Sequence, residues 1–180
     1  MIVTRIAMLC CCAALLASCA GTPAGVEPVS GFEVQRYLGT WYEIARLDHP
    51  FERGLERITA TYELRDDGGL RVINRGYDVA GDEWREAIGK AYFVGSPDIG
   101  QLKVSFFGPF YGGYNIISLD QERYDWVMIC GPSTAYLWIL SRQPELSQEV
   151  LDRLRELAQG YGFDTRQLIF VEHRPAGAAP

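Results

Sequence analysis

The sequence has little of what catalysis and metal binding require. Its 180 residues include two histidines, His49 and His173, and these do not stand at the spacing of zinc ligands. No Gly-x-Ser-x-Gly motif is present to hold a hydrolase nucleophile, and the glycines match neither the G-x-G-x-x-G pattern nor a P-loop. These absences favour a protein that is not an enzyme and that needs no metal and no cofactor.

A concentrated positive charge is also missing. The formal net charge is -6, and the basic residues are spread along the chain, so no face suits a phosphate backbone and nucleic acid is excluded as a partner. The same acidity disfavours binding to anionic lipid head groups by charge alone. Attachment to a membrane would therefore have to be covalent.

Cysteine is scarce beyond the N-terminus. Of the five cysteines, only Cys130 lies after residue 19, so the folded domain has no pair for a disulfide. We expect Cys130 to act as a small buried hydrophobic residue. A reactive thiol is the alternative, which would require a nearby cation.

The N-terminus has the pattern of a secretory signal. Arg5 precedes an apolar run over 6–17, which is too short for a bilayer, since a spanning helix needs about 20 such residues. Leu16-Ala17-Ser18-Cys19 resembles the bacterial lipobox. This resemblance implies cleavage of a signal peptide at 1–18 and attachment of lipid, such as palmitate, to Cys19. Cleavage after Ala20 is the alternative.

The resemblance also implies a location. Ala20 is not the aspartate that commonly retains such lipoproteins in the inner membrane, so the outer membrane, with the domain facing the periplasm, is expected. More than one acyl chain gives a stable anchor, whereas a single chain gives only marginal membrane binding.

The rest of the chain is organised as a single domain. We predict a flexible tether after the lipidated cysteine (19–31) because the segment is rich in proline and poor in apolar side chains, a β-domain at 32–173, and a disordered tail at 174–180. Short β-branched and aromatic runs separated by Gly, Pro and Asp predict eight strands, at 41–46, 58–64, 70–77, 86–94, 102–107, 114–119, 125–130 and 136–141.

One segment has helical periodicity. Apolar residues from Val150 to Tyr161 recur at helical spacing on one face, and Ser147 is placed to cap the N-terminus. A single helix after eight strands should pack on the outside of the sheet. The run Leu168 to Glu172 could add an edge strand.

Three motifs carry a family resemblance. Gly39-Thr40-Trp41 resembles the Gly-x-Trp signature of the lipocalins, and Arg142 matches the arginine at the end of their last strand. Asp120 and Tyr124 match the second motif more loosely. With YLGTWYEIAR, FERG, SFFGPFYGGYN and LWILSR, the chain is most similar to the bacterial lipocalins and their apolipoprotein D-like relatives.

The resemblance implies an eight-stranded antiparallel up-and-down β-barrel with one helix outside it. It implies that Trp41 plugs the closed end and that Arg142 lies across its ring as a cation–π partner. Gly39, Trp41 and Arg142 are thus structural residues. Such a barrel can enclose one small hydrophobic ligand.

Strand alternation predicts which residues face that ligand. Polar Lys103 and Ser105 point outward, which leaves Phe106 inside, and the same parity argument gives an aromatic-lined cup with few polar groups. The predicted ligand-binding residues are Tyr62, Asn74, Phe106, Tyr114, Tyr136 and Trp138. By the resemblance, Tyr62, Asn74, Phe106 and Trp138 coincide with ligand contacts in apolipoprotein D-like members. The alternative is that these rings fill a solid core.

The mouth should be formed by the loops at 48–57, 78–85, 108–113 and 131–135, with a mouth arginine such as Arg53 or Arg57 available for a polar head group. Aromatic residues in FFGPFYGGY could contact a bilayer or a second copy of the chain, so a homodimer remains open. A fatty acid or lysophospholipid is the expected ligand, stored or transported in the envelope, with membrane maintenance under stress implied by the family. Two other interpretations are a purely structural lipoprotein and an enzyme that uses Cys130 or Glu43.

Overall fold

The computed structural model describes residues 21–173, and these form a closed antiparallel barrel. The strands are β1 (Gly39–Arg46), β2 (Leu55–Leu64), β3 (Leu70–Asp78), β4 (Glu83–Phe93), β5 (Gln101–Ser105), β6 (Gly112–Leu119), β7 (Trp126–Cys130) and β8 (Leu137–Ser141). Each strand pairs with the next, and β1 pairs with both β2 and β8, which closes the sheet. The predicted eight-stranded barrel is confirmed.

Alternation along each strand separates the interior from the outer wall. On β2, Ala60 and Tyr62 are buried in the interior, whereas the hydroxyl of Thr61 meets that of Thr40 on the outside, 2.9 Å away. On β5, Leu102 and Val104 belong to the interior cluster. Interior residues therefore alternate with outer ones on β2 and β5.

Strand β1 departs from simple alternation. Its register with β8 shifts between Glu43 and Ala45, which marks a β-bulge, and a bulge redirects the side chains that follow it. Ile44 and Ala45 both pack in the outer cluster, while Arg46 contacts Glu43. The bulge thus places two charged residues of one short strand on the same side.

The helix predicted after the barrel is present and lies outside it. A short helix, α1 (Val34–Tyr37), precedes the barrel, and helix α2 (Gln148–Gly160) follows it. The Ser147 hydroxyl caps α2 by accepting a hydrogen bond from the Val150 amide. Its buried residues pack with Met128 and Cys130, which point outward from β7. The final strand β9 (Ile169–Phe170) pairs with β1, as the predicted edge strand requires.

The closed end of the barrel is held by the signature residues. Trp41 is fully buried, and the Arg142 guanidinium lies 3.8 Å from its ring centroid. Arg142 also donates hydrogen bonds to the carbonyls of Thr40 (3.0 Å) and Arg36 (2.7 Å). Gly39 has φ +93°, a conformation that side chains disfavour.

The segment before the barrel differs from its prediction. Residues 21–31, expected to be flexible, lie against the outer wall: Val26 is buried in the outer cluster, and the Val29 amide donates to the Ile116 carbonyl at 2.8 Å. The buried Asn115 amide donates to the Gly21 carbonyl at 3.1 Å. These few apolar and polar contacts hold a segment whose composition alone predicted a tether.

The signal peptide at 1–18, the lipidation site at Cys19 and the tail at 174–180 lie outside the described residues. Between residues 21 and 173, no helix is both long and apolar enough to span a membrane.

Candidate ligand-binding site

The interior of the barrel has two unlike halves. The closed half is the part around Tyr37, Trp41, Leu102 and Ile116, where exposure is 2% or less. The mouth half lies at the other end, where β1 ends, and its inward residues Asn74, Phe106, Tyr136 and Trp138 are only partly buried. These four mouth residues therefore keep accessible surface that the four named residues of the closed half lack.

Three tyrosine hydroxyls form the boundary between the two halves. The Tyr114 hydroxyl lies 2.6 Å from that of Tyr37 and 2.7 Å from that of Tyr62. Burial raises the pKa of Tyr62 to about 12, and it raises the pKa of Tyr37 and Tyr114 well above the usual value. The hydroxyls therefore stay neutral and bind one another, forming a polar but uncharged floor. Tyr37 was missed because it precedes the first strand.

A charged cluster lies above this floor and was not predicted as a unit. Glu43, Arg46, His49 and Glu52, here called the charged cluster, are each exposed by 9% or less. Arg46 donates to Glu43 Oε1 at 2.8 Å and to the Glu52 carbonyl at 3.0 Å. His49 Nε2 lies 3.0 Å from Glu52 Oε2. The expectation of few polar groups in the cup is wrong at this end.

The two carboxyl groups of the cluster respond in opposite directions. Burial, together with the charge of Glu52, raises the pKa of Glu43 well above its usual value despite its bond to Arg46. Burial also acts to raise the pKa of Glu52, but the close contact with His49 and the hydrogen bond from Trp138 lower it overall. Glu52 is therefore the carboxylate of the cluster that stays ionised.

The charged cluster is joined to the aromatic residues predicted to bind ligand. Trp138 Nε1 donates to Glu52 Oε2 at 3.2 Å, and Trp138 stacks on Tyr136 with ring centroids 6.2 Å apart. The His49 ring centroid lies 5.0 Å from that of Trp138. Since His49 and Glu52 belong to the connection between β1 and β2, this mouth loop is bound to the pocket wall.

Opposite these rings lie Phe106 and Asn74. A Cβ atom at Gly89 would lie 2.8 Å from Phe106 Cδ1, so the ring occupies space that only a glycine leaves free. The Asn74 side-chain oxygen is buried and, among residues 21–173, has no hydrogen-bond partner. A buried acceptor of this kind is costly unless something else pairs with it.

The structure gives the two suggested mouth arginines other partners. Arg53 pairs with Asp48 at 2.6 Å, both side chains being exposed, and the Arg57 guanidinium lies 3.8 Å from the Tyr77 ring centroid. Arg46 is instead the arginine of the charged cluster. A cleft of about 450 Å³ lies at the mouth beside β9, and its lining includes none of the six predicted ligand-binding residues.

Cys130 lies on the other side of the barrel wall. It is fully buried in the outer cluster, and burial raises the pKa of its thiol to about 12. The thiol is thus protonated at neutral pH, which makes it a poor nucleophile. In the described part of the chain, no group of three or more His, Cys, Asp or Glu residues could hold a metal ion.

Comparisons with known proteins agree with this geometry. A model of the lipocalin-like domain matches residues 32–173. The chain is 52% identical to outer membrane lipoprotein Blc of Vibrio cholerae, covering 94% of this chain and 99% of that protein. It is 58% identical to the protein of the same name in Escherichia coli K12, covering 83% and 84%.

More distant proteins share the fold. Temperature-induced lipocalin-1 of Arabidopsis thaliana is 35% identical, over 79% of this chain and 80% of that protein. The solved structure of insecticyanin from Manduca sexta superposes with a TM-score of 0.67 at 21% identity, covering 87% of this chain and 89% of that one.

Proposed function

Because the chain belongs to the lipocalin family, we propose that it binds a fatty acid or lysophospholipid in the mouth half of its barrel. Its family consists of ligand-binding carriers, and two of its relatives are named outer membrane lipoprotein Blc. In this proposal Cys19 carries the acyl anchor, and the protein stores or transports lipid in the envelope to maintain the membrane under stress.

One observation carries the ligand proposal. Phe106, Tyr136 and Trp138 face inward yet keep accessible surface, whereas Trp41, Leu102 and Ile116 in the closed half are sealed. Aromatic rings exposed inside a closed barrel are the surface that an apolar chain covers. The unpaired oxygen of Asn74 supplies an acceptor for a hydroxyl or amine of the ligand.

The expected affinity follows from the length of the acyl chain. Burial of about ten methylenes contributes roughly 8 kcal/mol at about 0.8 kcal/mol each. Ordering the ligand offsets part of this, so a dissociation constant in the micromolar range or somewhat lower is expected. The tyrosine floor limits how deeply the chain can enter, so its polar end should lie near the charged cluster.

The test is to identify what the protein carries. The acylated protein should be purified from the native membrane, and its bound lipid extracted and identified by mass spectrometry beside Trp138→Ala prepared in the same way. We expect a fatty acid or lysophospholipid at near one per chain in the parent and much less in the variant. An empty parent that also fails to bind added oleic acid would reject the proposal in favour of a structural lipoprotein.

A further inference from the structure

His49 is a buried ring whose two nitrogens are left without hydrogen bonds. Its exposure is 2%, and neither Nδ1 nor Nε2 has a hydrogen-bond partner within residues 21–173. Polar atoms that are buried without partners are rare in folded proteins, and each one costs free energy. Nε2 nevertheless lies 3.0 Å from Glu52 Oε2. Glu52 therefore becomes an ion-pair partner of His49 when the ring is protonated.

The His49 ring also borders the proposed ligand site. Its centroid lies 5.0 Å from that of Trp138 and 6.4 Å from that of Tyr136, and both of these residues keep accessible surface. In the proposed function, on which the present inference rests, the polar end of the ligand lies near the charged cluster. A charge placed there acts on His49 through a poorly hydrated interior, where electrostatic interactions are stronger than in water.

The charges of the cluster cancel while the His49 ring is neutral. Arg46 carries one positive charge. The pKa of Glu52 is lowered and that of Glu43 is raised well above its usual value, so the cluster holds one carboxylate and one neutral carboxyl group. The carboxylate of a fatty acid would add a negative charge, and an uncompensated charge in a protein interior is costly. A proton that enters with the ligand removes this cost.

Among the groups around the cluster, His49 is the one suited to take that proton. Glu43 already holds one, and protonation of Glu52 would leave the buried Arg46 guanidinium without the carboxylate that lies 3.9 Å from it. Asp48 belongs to an exposed ion pair, phenols are neutral already, and histidine is the side chain whose charge changes near neutral pH. The titratable and charged groups around the ring and its cluster are Glu43 and Arg46 on β1, Asp48 and Glu52 in the same loop, Tyr62 on β2 and Tyr136 before β8.

We propose that His49 takes up one proton from water when the carboxylate of a fatty acid enters the mouth half, so that binding of an anionic ligand is linked to protonation of this ring. The complex then holds one proton more than the free protein and the free carboxylate together. A ligand with an uncharged polar end needs no such proton. Affinity for the carboxylate should therefore fall as the pH rises above neutral, by up to about tenfold for each pH unit, whereas affinity for the uncharged ligand should stay constant.

Calorimetry measures this proton directly. The chain from residue 20 onward contains the whole described barrel, and dodecanoate and its monoglycerol ester are a charged and an uncharged probe with the same acyl chain. Each probe should be titrated at the same pH in phosphate and in Tris, because the difference in heat between two buffers of unlike ionisation enthalpy gives the number of protons exchanged. Slightly above neutral pH, we expect uptake of about one proton for dodecanoate and none for the ester.

Two variants assign the proton to a residue. His49→Gln should lose the uptake and bind dodecanoate about tenfold more weakly, with a much smaller loss for the ester. His173→Gln is the matched control, because His173 is the other histidine of the chain and its Nε2 lies 2.7 Å from the Glu43 backbone carbonyl. This control should take up the proton as the parent does. Uptake that persists in His49→Gln would place the proton on the ligand or on Glu52, and would overturn the proposal.

Nuclear magnetic resonance tests the parent protein without a substitution at His49. The ring nitrogen shifts of the two histidines are assigned by comparison with His173→Gln. We expect dodecanoate to move both ring nitrogens of His49 to the shifts of an imidazolium, and the ester to leave them unchanged. A His49 ring that stays neutral in the dodecanoate complex, or that is already charged before dodecanoate is added, would contradict the proposal.

Two further outcomes separate the proton from the ligand site. Dodecanoate that binds without any exchange of protons would reject the linkage to His49, while the lipid site in the mouth half stands. Failure of dodecanoate, its ester and oleic acid to bind would reject the lipid site itself, and the linkage with it.

Discussion

The closed half and the mouth half of the barrel interior are built from different chemistry. The closed half contains Trp41, Leu102 and Ile116, sealed and apolar, with Arg142 over the outer face of the plug. The mouth half contains partly exposed rings and four buried charged or titratable side chains. This contrast fits the proposed function, in which the closed half stabilises the fold and the mouth half binds the ligand at some cost in stability.

The charged cluster makes this cost explicit. Buried ion pairs stabilise a fold little compared with apolar residues of similar volume, because both charges lose their hydration. Glu43, Arg46 and Glu52 therefore have no advantage as core residues alone. In the proposed function, their contact with Trp138 through Glu52 lets them interact with the polar end of the ligand.

The largest expected effect is at the closed end. Trp41→Ala should lower the free energy of unfolding by about 4 kcal/mol, because it removes a fully buried ring and leaves a cavity. The measurement is urea unfolding followed by circular dichroism. A loss below about 1 kcal/mol would mean that the plug is not a main source of stability.

The next effect is at the mouth. Glu52→Gln should lower the free energy of unfolding by about 3 kcal/mol at neutral pH. The reason is that the buried Arg46 guanidinium, 3.9 Å from Glu52 Oε2, would lose this carboxylate. The pKa of Glu52 is lowered in the folded protein, so its contribution is present above pH about 4.5 and is lost as the pH falls through the folded pKa. The difference between parent and variant should therefore shrink in acid. A constant difference from pH 7 to pH 3 would contradict this.

Glu43→Gln should show the opposite dependence on pH. Because the pKa of Glu43 is raised in the folded protein, the parent loses stability as the pH rises above the usual pKa of a glutamate, whereas the variant does not. The stability of the variant relative to the parent should rise between pH 5 and pH 8. Denaturant unfolding at four pH values measures it, and a relative stability that falls with pH would show that Glu43 is ionised instead.

Most of the architecture could be predicted from the sequence because it depends on local signals. Alternating apolar residues defined the strands, and the period of 3.6 residues with Ser147 before it defined α2. The charged cluster could not be predicted in the same way. Glu43 shares the parity of Trp41 and was predictable as an inward residue, but the bulge after it decides where Arg46 points.

Longer-range contacts explain the other differences. His49 and Glu52 lie in a loop, and nothing in the local sequence indicates that this loop folds back onto Trp138. The segment 21–31 was expected to be flexible because few of its side chains are apolar. Its attachment depends on the backbone carbonyl of Gly21, which accepts a hydrogen bond from Asn115. Since every residue has such a carbonyl, the sequence gives no sign of this contact.

The most direct test of the division between the two halves compares Leu102, near the start of β5, with Phe106, directly after its end. Phe106→Ala should weaken oleic acid binding about tenfold, equivalent to about 1.4 kcal/mol, with little loss of stability. Leu102→Ala should cost about 2 to 4 kcal/mol of stability and leave affinity unchanged when measured below its unfolding transition. Unchanged affinity in Phe106→Ala, or equal loss of affinity in both variants, would contradict a lipid site in the mouth half.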